Sequence, residues 1–293
     1  MNERIHPIHW VYAIILILTV WVASVGLYSS DGGTPYIYTN QYGTAITLYG
    51  DGLYANDSSF KAPIFRASDA TILFVVVPIF LFFLIRNIAK QDKLSRSLLT
   101  SSIAMLLYYS ASLSFGVVFN ELHLPYIALF AGTLFSLIWL LSQEKTDYSS
   151  IRLPYKSIHA FLIVSGVALI VAWLPDIITA MLKGTSLALI ENYTTEITYV
   201  LDMGIIAPAC FATVKLLRNR KPLGYEVLVI LLFVCSMVGI MVCVQTAFQS
   251  AAGIVLPIGA LITKMAIFVA LAAFSISLLY RVLRRTTNSA NSR

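Results

Sequence analysis

Eight apolar stretches, most of them near the ~20 residues with which a helix crosses a ~30 Å hydrocarbon core, dictate what this chain can fold into. They run near Trp10 to Tyr28, Ala70 to Ile85, Leu98 to Phe119, Pro125 to Leu141, Ser157 to Ile178, Thr194 to Leu217, Val227 to Gln249 and Leu256 to Leu283. Water is absent from the bilayer core, so each stretch must satisfy its own backbone, and an all-α fold of eight transmembrane helices is predicted. Of the 293 residues, 58% are hydrophobic and 12% charged. That composition excludes a soluble globular domain and reads as a single polytopic membrane domain over 1–293.

Charge placement predicts the orientation. Of the 20 Lys and Arg residues, all but Lys61, Arg66, Lys183 and Lys264 fall on one side when the spans alternate. Arg86 to Arg96, Lys145 to Lys156, Lys215 to Lys221 and the Arg-rich segment from Arg281 share that side with Arg4, so the positive-inside rule puts both termini in the cytoplasm. The first span is longer than a signal-peptide apolar core and no small-x-small cleavage signal follows, so an uncleaved anchor is expected. A net charge of +6 does not point to nucleic acid, because the basic residues flank apolar spans, where they meet anionic headgroups of the lipid bilayer. Cys210, Cys235 and Cys243 all lie inside spans, leaving no disulfide framework or CxxC metal site.

The one sizeable hydrophilic insertion, residues 29–68, is expected outside. Tyr36-Ile37-Tyr38 and the alternation of Ile46 and Leu48 with Thr47 and Tyr49 read as short strands, with Asp31-Gly32-Gly33 and Gly50-Asp51-Gly52 as turns. A small β-hairpin-like cap is predicted, too small for a core of its own and therefore leaning on the outer helix ends. Its tyrosines, Tyr36, Tyr38, Tyr42, Tyr49 and Tyr54 with Tyr28, read as an interfacial aromatic belt or the rim of a ligand entrance.

Small residues at helical spacing, Ala128/Gly132/Ser136 and Cys235/Gly239/Cys243, read as packing faces within the chain, with a homo-oligomer seam the less favoured use. The third span, rich in serine, is too polar for lipid exposure and should be central. Hydropathy reveals no internal repeat, inverted or parallel. Pro78 and Pro208 each remove a backbone donor, and Pro208 with Gly204 one turn before it is expected to open the sixth helix locally.

Polar chemistry collects in the outer half of the last three spans. Thr195, Tyr199 and Asp202 follow i, i+4, i+7 spacing with Thr198 four residues before Asp202, whereas Glu196 should point elsewhere. Lys264 in the eighth span matches Asp202 in depth, and a charge inside a bilayer calls for a partner, so the two are expected to pair. Gln245 and Gln249 at i, i+4 in the seventh span would complete the cluster. A purely structural pair registering three helices is the competing reading. Asp69, Asn120, Glu121 and Asp176 read individually as solvated helix-end residues. Asn56-Asp57-Ser58 and Asn192-Tyr193-Thr194 match a glycosylation pattern that is common by chance.

No H-E-x-x-H, G-x-S-x-G, Walker A or dinucleotide fingerprint is present, the histidines His6, His9, His123 and His159 assemble into no metal set, and no cofactor is expected. The stretches Gly50-Asp51-Gly52-Leu53-Tyr54 with Asp57, Arg66-Ala67-Ser68-Asp69, Phe119-Asn120-Glu121, Leu201 to Pro208 and Lys221-Pro222-Leu223-Gly224-Tyr225 resemble a family of bacterial multi-pass membrane proteins with no assigned activity. The resemblance covers most of the chain and implies a bacterial inner-membrane protein without implying a chemistry; Lys264 lies outside its pattern.

Three functions are compatible with these residues. The leading one is a transport or ligand-binding protein for a small molecule or ion, with an outward-facing site between the sixth, seventh and eighth spans. Asp202 would carry its charge, Lys264 would be partner or competitor, and Gln245, Gln249 and Tyr199 would orient the ligand beside Glu196. The alternatives are an intramembrane enzyme acting on a lipid-linked substrate, with Glu196 or Asp202 as general base, and a membrane sensor or assembly partner using the cap.

Overall fold

The computed structural model describes residues 6–143, 153–255 and 265–291, and side chains as far as Thr286. Lys264, with Arg4, Lys145, Arg152 and Arg293, lies outside the described residues. Eight helices among the described residues are long and apolar enough to cross a membrane: α1 (Pro7–Tyr28), α2 (Ala62–Lys90), α3 (Lys93–Gly116), α4 (His123–Ser142), α5 (Tyr155–Lys183), α6 (Ile197–Arg218), α7 (Pro222–Ala251) and α8 (Ile267–Asn291). This is the architecture of a multi-pass integral membrane protein. The outer surface supports it: Trp10, Ile17, Phe82, Phe135 and Val171 lie exposed on helices, as lipid-facing side chains do.

Local chemistry sets the helix ends. Proline occupies the first turn of α1, α2 and α7, where its missing N–H removes no helical bond. Asp92 caps α3 by accepting from the Ser95 amide at 2.7 Å and also pairs with Arg86 at 2.5 Å. Those contacts hold its carboxyl below its ordinary range despite partial burial. Gly184 ends α5 in the left-handed region at φ +62°.

The interior carries many hydroxyl groups, and the helices satisfy them internally. Thr19, Thr71, Ser101, Ser102, Thr133, Thr213 and Ser236 are all buried, and each hydroxyl donates to the carbonyl four residues earlier. Ser275 instead reaches across from α8 to the Leu232 carbonyl of α7 at 2.6 Å. The central glycine of each small-residue stripe faces a neighbour within the chain, since a Cβ on Gly132 would meet Ile15 of α1 and one on Gly239 would lie 2.0 Å from the Ala272 Cβ of α8, whereas Ala128 and Cys243 at the stripe ends are exposed.

The serine-rich α3 is the most buried span and packs on α2, α4 and α7, while α7 packs on α2, α3, α6 and α8. Each half of the chain closes a similar ring, α1 to α4 and α5 to α8, with the first helix of each touching the last. The second helix of each half also carries the same backbone device. A π-helical turn spans Ile72–Val76 in α2 and Asp202–Ile206 in α6, and a proline follows two residues after each. The wide turn absorbs a residue whose ring would strike the carbonyl four positions back and which offers no N–H. This echo is invisible to hydropathy, which registers apolar content and not neighbours.

Between α1 and α2 sits the predicted cap. Strands β1 (Tyr36–Thr39) and β2 (Ala45–Leu48) pair antiparallel with Tyr36 opposite Leu48 and Thr39 opposite Ala45. The connecting turn is Asn40 to Thr44, in which Asn40 Oδ1 accepts from the Tyr42 and Thr44 amides and Gly43 takes φ +77°. The glycine-aspartate segments expected as turns close the base of the cap: Asp51 accepts from the Asp31 and Gly32 amides and from Ser30 Oγ, contacts that hold its carboxyl low. The cap leans less on helix ends than on the α5–α6 connection, because Asn40 Nδ2 donates to the Glu191 carbonyl, Gln41 Nε2 to the Tyr193 carbonyl and Asn192 Nδ2 to the Asn56 carbonyl.

The second helix begins at Ala62, eight residues before the predicted start, and this relocates Asp69. It lies fully buried in the third turn, accepting from Tyr54 Oη at 2.8 Å and Tyr109 Oη at 2.5 Å, not at a solvated helix end. Gly26 of α1 leaves room for it, since a Cβ there would stand 2.1 Å from the Asp69 Oδ2. Gly26→Ala is therefore expected to destabilise the protein by about 1–3 kcal/mol, read as a lowered thermal midpoint in detergent; an unchanged midpoint would show that α1 can back away freely.

Orientation is a separate prediction. With Tyr42→Cys or Arg220→Cys introduced singly, a membrane-impermeant thiol reagent on intact cells should label position 42 and spare position 220, and the reverse pattern would invert the topology.

Candidate functional site

The sixth helix starts at Ile197 with Glu196 as its cap residue, which puts Asp202 in the second turn, at the mouth of the π turn. Asp202 is 5% exposed. Its Oδ2 accepts from the indole Nε1 of Trp173 on α5 at 2.9 Å, and its Oδ1 from Tyr108 Oη of α3 at 3.1 Å. Trp173 in turn stacks on Tyr199 with ring centroids 4.6 Å apart at 21°, and Tyr199 Oη donates to Asp176 at 2.9 Å. The carboxylate is thus held by neutral donors from two other helices, one of them braced by a ring one turn up its own helix.

A cavity of about 310 Å³ extends from Asp202 to the cap end of the bundle. Its deep wall is Asp202, Tyr108, Tyr109, Ser112 and Trp173; its flank is Ser68, Gln245 and Gln249; apolar side chains Leu113, Val238, Met241, Val242 and Phe268 fill the remainder. Lys61 and Glu196 stand at the mouth and form an ion pair, with side chains 13% exposed each. The Lys61 ammonium also lies over the Tyr193 ring, 4.3 Å from its centroid.

Five of the six residues singled out from sequence, Asp202, Gln245, Gln249, Tyr199 and Glu196, line this one cavity. Lys264 lies outside the described residues, and so does the pair expected between it and Asp202. Three local expectations change. Glu196 faces the same space as Tyr199 and Asp202, because it precedes the helix in extended backbone and helical spacing does not apply to it. Gln245 and Gln249 turn toward α2 and its approach, donating to Ser68 Oγ at 2.9 Å and to the Phe60 carbonyl at 3.2 Å. The cavity lies among α2, α3, α5, α6 and α7, with Met265 and Phe268 contributed from the α8 side, so three elements beyond the expected helices build it.

Tyr108, Trp173 and Lys61 were missed by sequence reasoning. The adjacent tyrosines in the most polar span and a tryptophan three residues before Asp176 were the available signals. None of the six cap-region tyrosines lines the cavity; Tyr54 is buried on Asp69, and Tyr28, Tyr36, Tyr38 and Tyr42 are exposed. Among the described residues no cluster of three His, Cys, Asp or Glu could hold a metal ion.

Beside the mouth, the cap is fastened by Asp57. Its Oδ1 accepts from Tyr193 Oη at 2.7 Å and the Val118 amide at 3.0 Å, while its buried Oδ2 has no partner. Burial pushes the Asp57 carboxyl up to about 7, against the lowering effect of those two donors and of Lys61. Burial and the neighbouring Asp57 carboxylate push the Tyr193 hydroxyl well above its ordinary range. No protein-family model, curated protein or solved structure matches this chain, so the resemblance to bacterial multi-pass proteins rests on the quoted segments and the site is read from its own geometry.

The raised Asp57 carboxyl has a pH consequence with a definite sign. The folded state keeps the proton above 3.8, where the unfolded chain has lost it, up to about 7. Stability should therefore fall as pH rises between those values, by at most about 1.4 kcal/mol per pH unit, and level off above. Thermal midpoints from pH 4 to 8 should show this decline, and Asp57→Asn should flatten it; an equal slope in the variant would assign the dependence elsewhere.

Proposed function

We propose that this protein binds a small molecule from the outer face of a bacterial inner membrane and acts in its transport. The observation that carries the reading is one cavity running from the Lys61–Glu196 ion pair down to the buried Asp202 carboxylate. A concave, mostly apolar space with a few convergent polar groups is the usual form of a ligand site, and an ionisable residue within a span marks a pathway more often than a fold requirement. The charge bias of the loops supports the outward assignment of the cap end, with both termini cytoplasmic.

In this reading Asp202 is the charge-bearing residue. Trp173 and Tyr108 fix its two oxygens, Tyr199 braces the indole, and Gln245 and Gln249 present amides along the opposite wall. Lys264 is the partner of Asp202 or competes with substrate for it. Lys61 and Glu196 close the mouth, and parting them admits the ligand. An enzyme working on a lipid-linked substrate would instead need a reactive group presented sideways to lipid, and no observation here favours that reading.

The test is access. In a Cys243→Ser background, Ser112→Cys puts a thiol on the deep wall one turn from Tyr108. A membrane-impermeant thiol reagent should label it at least tenfold faster when added to intact cells than when added to inverted membrane vesicles. Labelling solely from the cytoplasmic side would overturn the outward-facing site.

A further inference from the structure

We propose that the ligand of this cavity carries an ammonium group on an apolar body, with Asp202 as its counter-ion; this rests on the cavity being a ligand site. The first argument is the state of the carboxylate. A carboxylate has about four acceptor positions, and Trp173 and Tyr108 occupy one on each oxygen, leaving one on each for a further donor. Among the described residues Asp202 has no cationic partner, whereas Lys61 pairs with Glu196 and Arg86 with Asp92.

Charge in the cavity points the same way. Among the described residues its acidic and basic wall consists of Asp202 and Glu196 against Lys61, and Lys61 is engaged by Glu196 and by the Tyr193 ring. The unbalanced charge is therefore negative and sits at the deep end. An anionic ligand would meet repulsion here.

The wall chemistry selects among cations. Tyr108, Tyr109, Trp173, Tyr199 and Phe268 surround the deep end, and aromatic rings attract an ammonium through their quadrupole, most strongly away from water. A bare metal ion needs several oxygen or nitrogen ligands, and among the described residues Asp202 is the only carboxylate at that depth in the wall. The volume of about 310 Å³ and the apolar remainder, Leu113, Val238, Met241 and Val242, leave room for an organic body behind the charge.

The experiment compares two thiol reagents of similar size and opposite charge at Ser112→Cys in the Cys243→Ser background: trimethylammonioethyl and sulfonatoethyl methanethiosulfonate. Their rate ratio is divided by the ratio at Tyr42→Cys on the exposed cap, which removes intrinsic reactivity. The expected normalised ratio favours the cation by about tenfold or more, and Asp202→Asn should bring it close to one. Phenethylammonium should slow the labelling and raise the thermal midpoint of the wild-type protein, whereas 3-phenylpropionate and 2-phenylethanol should do neither, and Asp202→Asn should abolish the phenethylammonium effect.

A ratio of one or below, a ratio unchanged by Asp202→Asn, or protection by 3-phenylpropionate would overturn the ammonium assignment while leaving an accessible ligand site standing. A flat ratio that rises only in Lys264→Met would give the carboxylate to Lys264 and likewise overturn it. If neither reagent reaches position 112 while position 42 reacts, the outward route fails, and the assignment falls with it.

Discussion

Two consecutive tyrosines on the most buried helix hold the bundle together from its middle. Tyr109 donates to Asp69 of α2 and Tyr108 to Asp202 of α6, so neighbouring positions on α3, pointing about 100° apart as helical geometry requires, clamp one carboxylate in each half of the chain. Inside a bilayer the hydrophobic effect does not drive helices together, and packing and interhelical hydrogen bonds take its place. A carboxylate buried with two phenolic or indole donors is therefore a strong specifier of neighbours, because losing either donor leaves a costly polar group in apolar surroundings. The two clamps differ in what lies beyond them. Asp69 is closed in by Tyr54 and by the glycine at position 26, while Asp202 opens on a cavity.

That difference separates a structural carboxylate from a functional candidate, and charge alone would have failed to make it. Both aspartates are buried, both sit in spans before a proline, and both accept from an α3 tyrosine. Unfilled space beside the carboxylate is the discriminator. The π turns add to it: the one in α6 begins at Asp202 itself, whereas the one in α2 begins three residues after Asp69, beyond the buried clamp.

The spans and the cap were legible in the sequence because both rest on local patterns. Apolar length sets the helices, and strand alternation between turn residues sets the hairpin. Even so, the real turn at Asn40 to Thr44 lacked an Asn-Gly or Asp-Gly pair, and the stronger glycine-aspartate signals turned out to close the cap base. The start of α2 was misplaced because residues 62–69 carry Arg66, Ser68 and Asp69, which read as loop in a hydropathy scan yet are satisfied by Tyr49, the Leu27 and Ile64 carbonyls, and two tyrosines. At the site, helical spacing found Tyr199 and Asp202, and amide spacing found Gln245 and Gln249. Nothing local could announce that α2, α3 and α5 would meet them, since which helices are neighbours is decided by long-range packing.

The cap and the cavity mouth are mechanically one unit. Asn40, Gln41 and Asn192 tie the hairpin to the α5–α6 connection, Tyr193 from that connection ties to Asp57 and lies under Lys61, and Lys61 pairs with Glu196 at the first residue before α6. Six residues further, α6 presents Asp202 at a turn whose wide geometry leaves backbone carbonyls less tightly bound than in a regular helix. Movement of the cap cannot leave the mouth unchanged, because the same short loop carries the hydrogen bonds of both. Lys61 and Glu196 are mostly buried, so parting them requires both charges to regain water, while the deep clamp of Tyr108, Trp173 and Asp202 shares no bond with that pair. The two ends of the cavity are thus held by separate sets of bonds, neutral donors from α3 and α5 on the deep carboxylate and an ion pair at the mouth.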